Sequence, residues 1–393
     1  MIAVYDKAMP HYVDTVDGSR YSLDEPRWRS ETGRPLWIEP GSGLTPEDID
    51  TSVPTLWRYS AALPVPVQHP ITLGEGLTPL IDKDWGVFRP LFKLDFLNPT
   101  GSFKDRGTSV MLSYLRERGM TEVLEDSSGN GGSSVAGYGA AGGMDVTIFA
   151  PSSTSPSKIT QMRSYAVNVE LVDGPREASQ DAAISHSDKT FYASHNWQAF
   201  FLQGTKTLAY EIWEDLGFSA PDSIIVPVGA GSSLLGCWLG FTELFHAGMI
   251  SHIPRLFAAQ PLNCSPVDAS FTAHSGHVPN RKVLPTIAEG TAIKKPLRMV
   301  QILAALRDSG GSSVAVPEQD IAVALERLVS AGLFVEPTSA TAAAALDILL
   351  KRGHIAKSET TVVLLTGSGL KASNKVSDLI SDVRDHNQPG AAS

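Results

Sequence analysis

The run Asn98-Pro99-Thr100-Gly101-Ser102-Phe103-Lys104-Asp105-Arg106-Gly107 places one lysine just after a Pro/Gly turn, ahead of a helical stretch over residues 108–119. A lysine at such a junction can face a cleft, where its amine can form a Schiff base with a carbonyl. Taken alone, Lys104 reads as a surface charge beside Asp105 and Arg106. Its meaning depends on what else the chain brings to it.

Three further stretches have the composition of anion sites. Glu125-Asp126-Ser127-Ser128-Gly129-Asn130-Gly131-Gly132-Ser133-Ser134 follows an apolar strand and precedes a small-residue helix over residues 135–142. Free backbone N–H groups at a helix start take a carboxylate or phosphate. The bland alternative is a Gly/Ser loop that only caps a helix, and the length of the loop favours a ligand. Gly229-Ala230-Gly231-Ser232-Ser233 again joins a strand to a helix, and its glycines let the backbone approach an anion closely. The dinucleotide pattern fails because Leu234 stands where its last glycine belongs, which leaves a monophosphate cup. Thr366-Gly367-Ser368-Gly369 is weaker by itself, since Ser and Gly are ordinary turn residues. Together, the three glycine turns and the lysine turn suggest a phosphate-bearing cofactor held covalently by a lysine, a description that pyridoxal 5'-phosphate meets.

Regular alternation of strand and helix must position these turns. Short apolar runs at residues 87–94, 122–125, 146–149, 167–171, 191–193, 223–228, 255–259, 313–316 and 361–365 are separated by helical stretches. Such runs mark strands of a parallel sheet buried on both faces, and sheets of this kind bind ligands at the carboxyl ends of their strands. The expected fold is α/β and doubly wound, with two lobes and the site between them. Residues 1–70 lack periodicity and read as a loop-rich arm anchored by Trp28, Trp37, Trp57 and Tyr59, while residues 386–393 read as a disordered tail.

Composition narrows the partners. A net charge of −10 argues against a nucleic-acid footprint, which needs clustered basic surface. Two cysteines, Cys237 and Cys264, cannot build a disulfide framework or a four-thiolate zinc site. No stretch approaches membrane-spanning length and the first thirty residues lack a signal-peptide core, so a cytoplasmic protein acting on small molecules is expected.

These motifs resemble the fold-type II pyridoxal-phosphate enzymes, and among them most of all the threonine synthases, from about Trp57 to Lys371. The resemblance rests on Arg58-Tyr59, Gly74-Glu75-Gly76-Leu77-Thr78-Pro79-Leu80, the lysine decapeptide, the Ser127-Ser128-Gly129-Asn130 loop and Gly204-Thr205-Lys206-Thr207. It extends through the glycine cup, Ile287-Ala288-Glu289-Gly290, Glu336-Pro337-Thr338-Ser339-Ala340 and Thr366-Gly367-Ser368-Gly369-Leu370-Lys371. It implies that Lys104 is the Schiff-base lysine and acid/base, and that Asn130 bonds the cofactor's ring hydroxyl. Ser127, Ser128 and the N–H groups after Asn130, Gly131 first, would take the substrate carboxylate. Gly229, Ala230, Gly231, Ser232 and Ser233 would hold the cofactor phosphate, and Thr366, or else Ser368, would face the pyridine nitrogen. A neutral hydroxyl there leaves the cofactor a mild electron sink, suited to elimination or replacement at a β or γ carbon. Residues 71–108 with 206–385 would form the large cofactor domain and residues 109–205 a smaller mobile one. A homodimer is implied, with the arm able to reach across its interface.

Departures from the family pattern carry expectations of their own. Asp14 to Gly18 and Arg29 to Gly33 look like zinc-ribbon knuckles stripped of cysteine, so no metal is expected. Phe201 stands where the family has an arginine that could serve a substrate phosphate, and Ala372 replaces an aspartate, which puts phosphohomoserine as substrate in question. A serine or threonine ammonia-lyase shares the same motifs, and a cofactor-binding regulatory protein without turnover is the non-enzyme alternative. A hydrolase fares worse, because no Gly-x-Ser-x-Gly is completed. His274 and His277 read as a solvent-facing pair, Glu289 and Glu336 as cleft or structural residues, and Lys206 as the opening of an amphipathic helix, with a substrate role as the minor reading.

Overall fold

The computed structural model describes residues 10–274 and 281–386, so most of the expected tail and His277 lie outside the described residues. Strands β1 (His11–Val13), β2 (Arg20–Ser22) and β3 (Trp37–Ile38) form an antiparallel sheet of order β2-β1-β3 within the arm that the sequence marks only as loop-rich. Strands this short leave too few alternating positions for a period-two pattern to show. The aromatic anchors Trp28, Trp37, Trp57 and Tyr59 are all buried. Where the stripped knuckles meet, buried Asp14 accepts from the Val16 N–H at 3.0 Å and the Thr32 hydroxyl at 3.1 Å.

Strands β4 (Leu80–Asp82) and β5 (Leu91–Lys93) lead into helix α1 (Lys104–Glu117). The helix therefore starts at the lysine itself, ahead of the expected residue 108, and β5 is shorter than the apolar run that announced it. Next come β6 (Glu122–Asp126), α2 (Asn130–Ala141), β7 (Asp145–Pro151), α3 (Pro156–Ser164), β8 (Asn168–Val172), α4 (Arg176–His186) and β9 (Phe191–Tyr192). These four strands make a fully parallel sheet of order β8-β7-β6-β9.

Helices α5 (Ala199–Thr205) and α6 (Thr207–Asp215) return the chain to β10 (Ser223–Pro227), followed by α7 (Ser232–His246), β11 (Arg255–Pro261), α8 (Pro266–Thr272) and α9 (Met299–Asp308). The chain ends with β12 (Ser312–Val316), α10 (Glu318–Ser330), α11 (Pro337–Lys351), β13 (Thr361–Leu364) and α12 (Ser373–His386). The second sheet has order β12-β11-β10-β13-β5-β4, parallel except for β4, which pairs antiparallel to β5 at one edge.

Both faces of the six-stranded sheet are buried, which explains its continuous apolar strands. Ile224 and Val226 of β10, with Val362 and Leu364 of β13, pack into one core with α6, α7 and α9. Ile225, Val363 and Leu365 point the other way, into a core with α10 and α11. The alternation follows the two-residue repeat of a strand. A third core, including Val110, Tyr114, Val135, Ile148 and Phe200, joins α1, α2 and α5 to the four-stranded sheet.

A buried ionic network fixes the start of α1. Arg106 is fully buried and bonds Asp95 at 2.7 Å and Glu211 at 2.7 Å, while Lys93 bonds Glu211 at 2.7 Å and Asp215 at 2.6 Å. Burial alone would raise the Glu211 pKa, but Arg106 and Lys93 hold it well below the usual carboxylate range. Glu211 also accepts the N–H groups of Leu77 and Thr78, at 2.8 and 2.9 Å. The Gly74–Leu80 motif is thereby tied to the turn that carries Lys104.

Candidate active site

The strand-to-helix turns of both sheets converge on one cavity of about 420 Å³. Lys104, the first residue of α1, lies in its wall. The Lys104 ammonium sits 4.7 Å from the Phe103 ring centroid and 5.4 Å from that of Phe201. Burial pushes its pKa down to about 7, against the opposing charges of Glu125 and Glu336 and with help from Arg176. An amine with that pKa is about half in its free, nucleophilic form at neutral pH.

Ser127, Ser128, Asn130 and Gly131 line one side, around the start of α2. The 12-residue helix begins at Asn130, ahead of the expected residue 135, so its free N–H groups open into the cavity. Gly229, Ala230, Gly231, Ser232 and Ser233 line the opposite side, at the N-terminus of the 15-residue α7. Gly231 adopts φ +86°, and a Cβ on Gly229 would come within 3.0 Å of Thr291. Thr366 lines the cavity at the end of β13, whereas Ser368 turns away to cap the following 3₁₀ turn by accepting the Leu370 N–H at 3.3 Å. The site residues expected from the lysine turn, the Ser/Gly/Asn loop, the glycine cup and Thr366 therefore all face one space.

Whether these residues suit pyridoxal phosphate is tested by groups left without partners. The Ser233 hydroxyl and the Asn130 amide oxygen are buried without hydrogen bonds among the described residues. The glycine cup offers backbone N–H groups, a helix N-terminus and a hydroxyl, a donor set for a phosphate. The residues present fit the cofactor.

Several residues at the cavity carry no motif that marks them in the sequence. His195 follows β9; its Nδ1 lies 2.9 Å from Glu125 Oε1, and its backbone N–H donates to the same carboxylate at 3.1 Å. Burial, then the charges of Lys104 and Arg176, push the His195 pKa well down, while burial and neighbouring Asp126 push Glu125 well up. Burial thus disfavours the charged form of both members of the pair. Lys158 on α3 and Arg176 at the start of α4 also line the cavity. All three follow the carboxyl ends of strands, the signal that could have found them.

Other candidates named from the sequence resolve into structure. Lys206 is buried against Glu243 at 2.9 Å and donates to the Ala62 carbonyl at 2.8 Å. Glu289 pairs with Lys375 at 2.5 Å on the cavity rim. Buried Glu336 accepts from Asn130 at 3.0 Å. Phe201 is fully buried against Gly107, where a Cβ would lie 2.6 Å from the ring, and does not line the cavity; its ring packs 5.8 Å from that of His195, which does.

Comparison with known proteins agrees with this geometry. The family described as pyridoxal-phosphate dependent enzyme matches residues 71–367. The chain is 33% identical over 368 residues to threonine synthase of Methanocaldococcus jannaschii, covering 90% of this chain and 91% of that protein. It is 31% identical to threonine synthase of Methanosarcina acetivorans, covering 85% and 84%. Among solved structures, maize serine racemase superposes with TM-score 0.67 at 21% identity, covering 79% of this chain and 94% of that one. The fungal L-serine ammonia-lyase from Rhizomucor miehei superposes with TM-score 0.67 at 21% identity, covering 79% and 98%. From the lysine turn, the glycine cup and these matches together, the chain belongs to the pyridoxal-phosphate-dependent enzymes of fold type II, on the threonine synthase-like branch.

Proposed function

We propose that the chain eliminates or replaces a group at the β or γ carbon of a small amino acid, with Lys104 as the residue that holds pyridoxal 5'-phosphate covalently. The observation that carries this reading is the Lys104 amine, with its lowered pKa, in the wall of a cavity whose far side is a glycine cup on a helix N-terminus. When bound, pyridoxal phosphate would supply an electron sink that weakens the C–H bond at the substrate's α carbon.

The chain's own residues do the rest. Ser127, Ser128 and the N–H groups from Gly131 onward receive the substrate carboxylate at the start of α2. Gly229 to Ser233 would hold the cofactor's phosphate, and the Asn130 amide, held by Glu336, would bond its ring hydroxyl. Thr366 would offer the cofactor's ring nitrogen a neutral hydroxyl. The Lys104 amine would take the α-proton and return it where the product needs it. The His195–Glu125 pair beside it, 2.9 Å between Nδ1 and Oε1, is a second site that can hold a proton.

In this reading residues 71–108 and 206–385 form the cofactor domain and residues 109–205 the smaller, mobile one. Bonds that cross between them, such as Ser157 to the Lys371 carbonyl at 3.0 Å and Gln161 to the Thr100 carbonyl at 3.1 Å, would break and re-form as it moves. The enzyme works in the cytoplasm as a homodimer; among the described residues no helix is long and apolar enough to cross a membrane.

The test is an absorbance spectrum of the purified protein before and after borohydride, with peptide mapping. A reduced label on Lys104 is expected; no reducible cofactor, or a label on another lysine, overturns the assignment. Incubation with phosphohomoserine, serine and threonine then separates the chemistries. Phosphate release supports the synthase-like reaction, ammonia with a 2-oxo acid from threonine or serine supports an ammonia-lyase, and spectral binding without turnover of any of them points to a regulatory protein.

A further inference from the structure

Phe201 carries no charge and does not line the cavity, yet it packs against both groups proposed to carry protons there. Its ring centroid lies 5.4 Å from the Lys104 ammonium and 5.8 Å from the His195 ring, which meets it edge-on at 60°. Contacts of both kinds are attractive at these separations, within about 6 Å for a cation and about 7 Å for an edge-to-face pair. The His195 ring has one hydrogen-bond contact among the described residues, between Nδ1 and Glu125 at 2.9 Å. A single polar contact leaves an imidazole free to pivot, so packing must fix its other edge. Phe201 and Gly131 supply that packing: a Cβ on Gly131 would lie 2.7 Å from the imidazole.

Rigid elements hold Phe201 in turn. It is fully buried on α5, one turn before Gly204. A Cβ on Gly204 would press into the Arg106 carbonyl oxygen and lie 2.7 Å from Gly107 Cα, so α5 and α1 meet backbone to backbone. Gly107, one turn after Lys104, leaves the space that the Phe201 ring fills, since a Cβ there would lie 2.6 Å from three of its carbons. Residues three apart share a helix face. Lys104 and Gly107 of α1 therefore present one face to Phe201 and Gly204 of α5. Neighbouring Phe200 stacks on Tyr114 of α1, with ring centroids 3.5 Å apart, and clamps the two helices a second time.

We infer that Phe201 is a positioning residue for the proposed proton transfers: its ring is a dry spacer, built into the α1–α5 contact, that sets the distance between the Lys104 amine and the His195 imidazole. A misplacement of about 1 Å in a reacting group can cost roughly 10²-fold in rate. The inference rests on the proposed roles of Lys104 and His195, because it gives Phe201 no chemistry of its own.

The test compares Phe201→Leu and Phe201→Met with the wild-type protein. Methionine is unbranched and fills irregular space, so that variant is informative even if the leucine one does not fold. The first readout needs no amino acid: the rate at which the full-length, cofactor-free protein captures pyridoxal phosphate, followed against pH. Burial holds the Lys104 pKa down at about 7. With the ring gone, water reaches the amine, and the midpoint should rise by about one pH unit or more. Glu125, Arg176 and Glu336, the charged groups that act on the amine, and His195 beside it are unchanged in both variants, so the shift reports the ring.

The second readout is a double-mutant cycle on kcat at about pH 9, where the lysine is deprotonated in every variant. It uses whichever of phosphohomoserine, serine and threonine the wild-type enzyme consumes. Replacing Phe201 should lower kcat about tenfold with KM within about twofold. In His195→Gln protein the same replacement should change kcat by less than about twofold, because the group that Phe201 positions is gone. An unmoved capture midpoint, or equal losses of kcat in the two backgrounds, overturns the spacer. The borohydride label on Lys104 is read in every sample. Its absence from wild-type protein defeats the cofactor assignment, whereas its presence with an unmoved midpoint defeats only the role of Phe201.

Discussion

The side-chain amide of Asn130 donates to Glu336 at 3.0 Å, joining the first residue of α2 to the residue that precedes α11. One hydrogen bond thus spans the cavity between the four-stranded and six-stranded halves. Gly367 makes room for it: a Cβ there would press into the Glu336 carboxylate and lie 2.9 Å from the Asn130 amide nitrogen. Gly367→Ala is expected to push the carboxylate aside and weaken cofactor binding by about tenfold or more, the worth of one hydrogen bond to a charged group. A cofactor titration followed by absorbance checks it, and unchanged affinity in a folded variant would show that the bond is incidental to the site.

Lys104→Ala should abolish the reducible label and cut turnover by roughly 10³-fold or more, since it removes both the attachment point and the proton carrier. Lys104→Arg keeps the charge but cannot capture a carbonyl, and is expected to fail equally. Turnover retained in either variant would remove Lys104 from the mechanism.

The lowered Lys104 pKa sets a pH window. Burial disfavours the ammonium, so the free amine predominates above about pH 7 and the protonated form below it. In cofactor-free protein, the rate of cofactor capture should therefore rise through about pH 7 and level off roughly one to two pH units above it. A midpoint near the ordinary lysine value of 10.5 would mean that the amine is solvated.

Much of the fold is legible because both sheets bury apolar strands on both faces, which leaves unbroken runs such as Ile224-Ile225-Val226. The short strands of the arm are not, since two or three residues cannot display a period. The turns at Lys104, Asn130, Gly229 and Thr366 can be read because glycine and hydroxyl residues are needed wherever backbone approaches an anion. Lys158, Arg176 and His195 escape notice for the opposite reason. A lone Lys, Arg or His in a sequence looks like surface, and only the convergence of strand ends in space shows that the three face one cavity.

Arg106 tests the support beneath the site. Its guanidinium is fully buried and bonded to Asp95 and Glu211, which in turn hold Thr78 and the loop before it. Arg106→Met would leave two carboxylates buried near Lys93 alone, at a cost of about 3–5 kcal/mol. Chemical denaturation should show that loss directly, and a change below about 1 kcal/mol would mean that the network relaxes without it.

His195 is expected to move protons and not to hold the cofactor. Its imidazole touches Gly131, where a Cβ would lie 2.7 Å from the ring, and its Nδ1 faces Glu125. Its Nε2 has no hydrogen-bond partner among the described residues and belongs to a ring that lines the cavity. Folding lowers the His195 pKa and raises that of Glu125, because burial disfavours the charged form of each. His195→Gln keeps a polar side chain at the wall while removing the exchangeable ring proton. It should leave the borohydride label on Lys104 intact and lower kcat by about 10²-fold, within the range for general acid–base groups, with KM little changed. Loss of the label along with turnover would show instead that the ring positions Gly131 and the loop around it, and an unchanged kcat would remove His195 from proton transfer altogether.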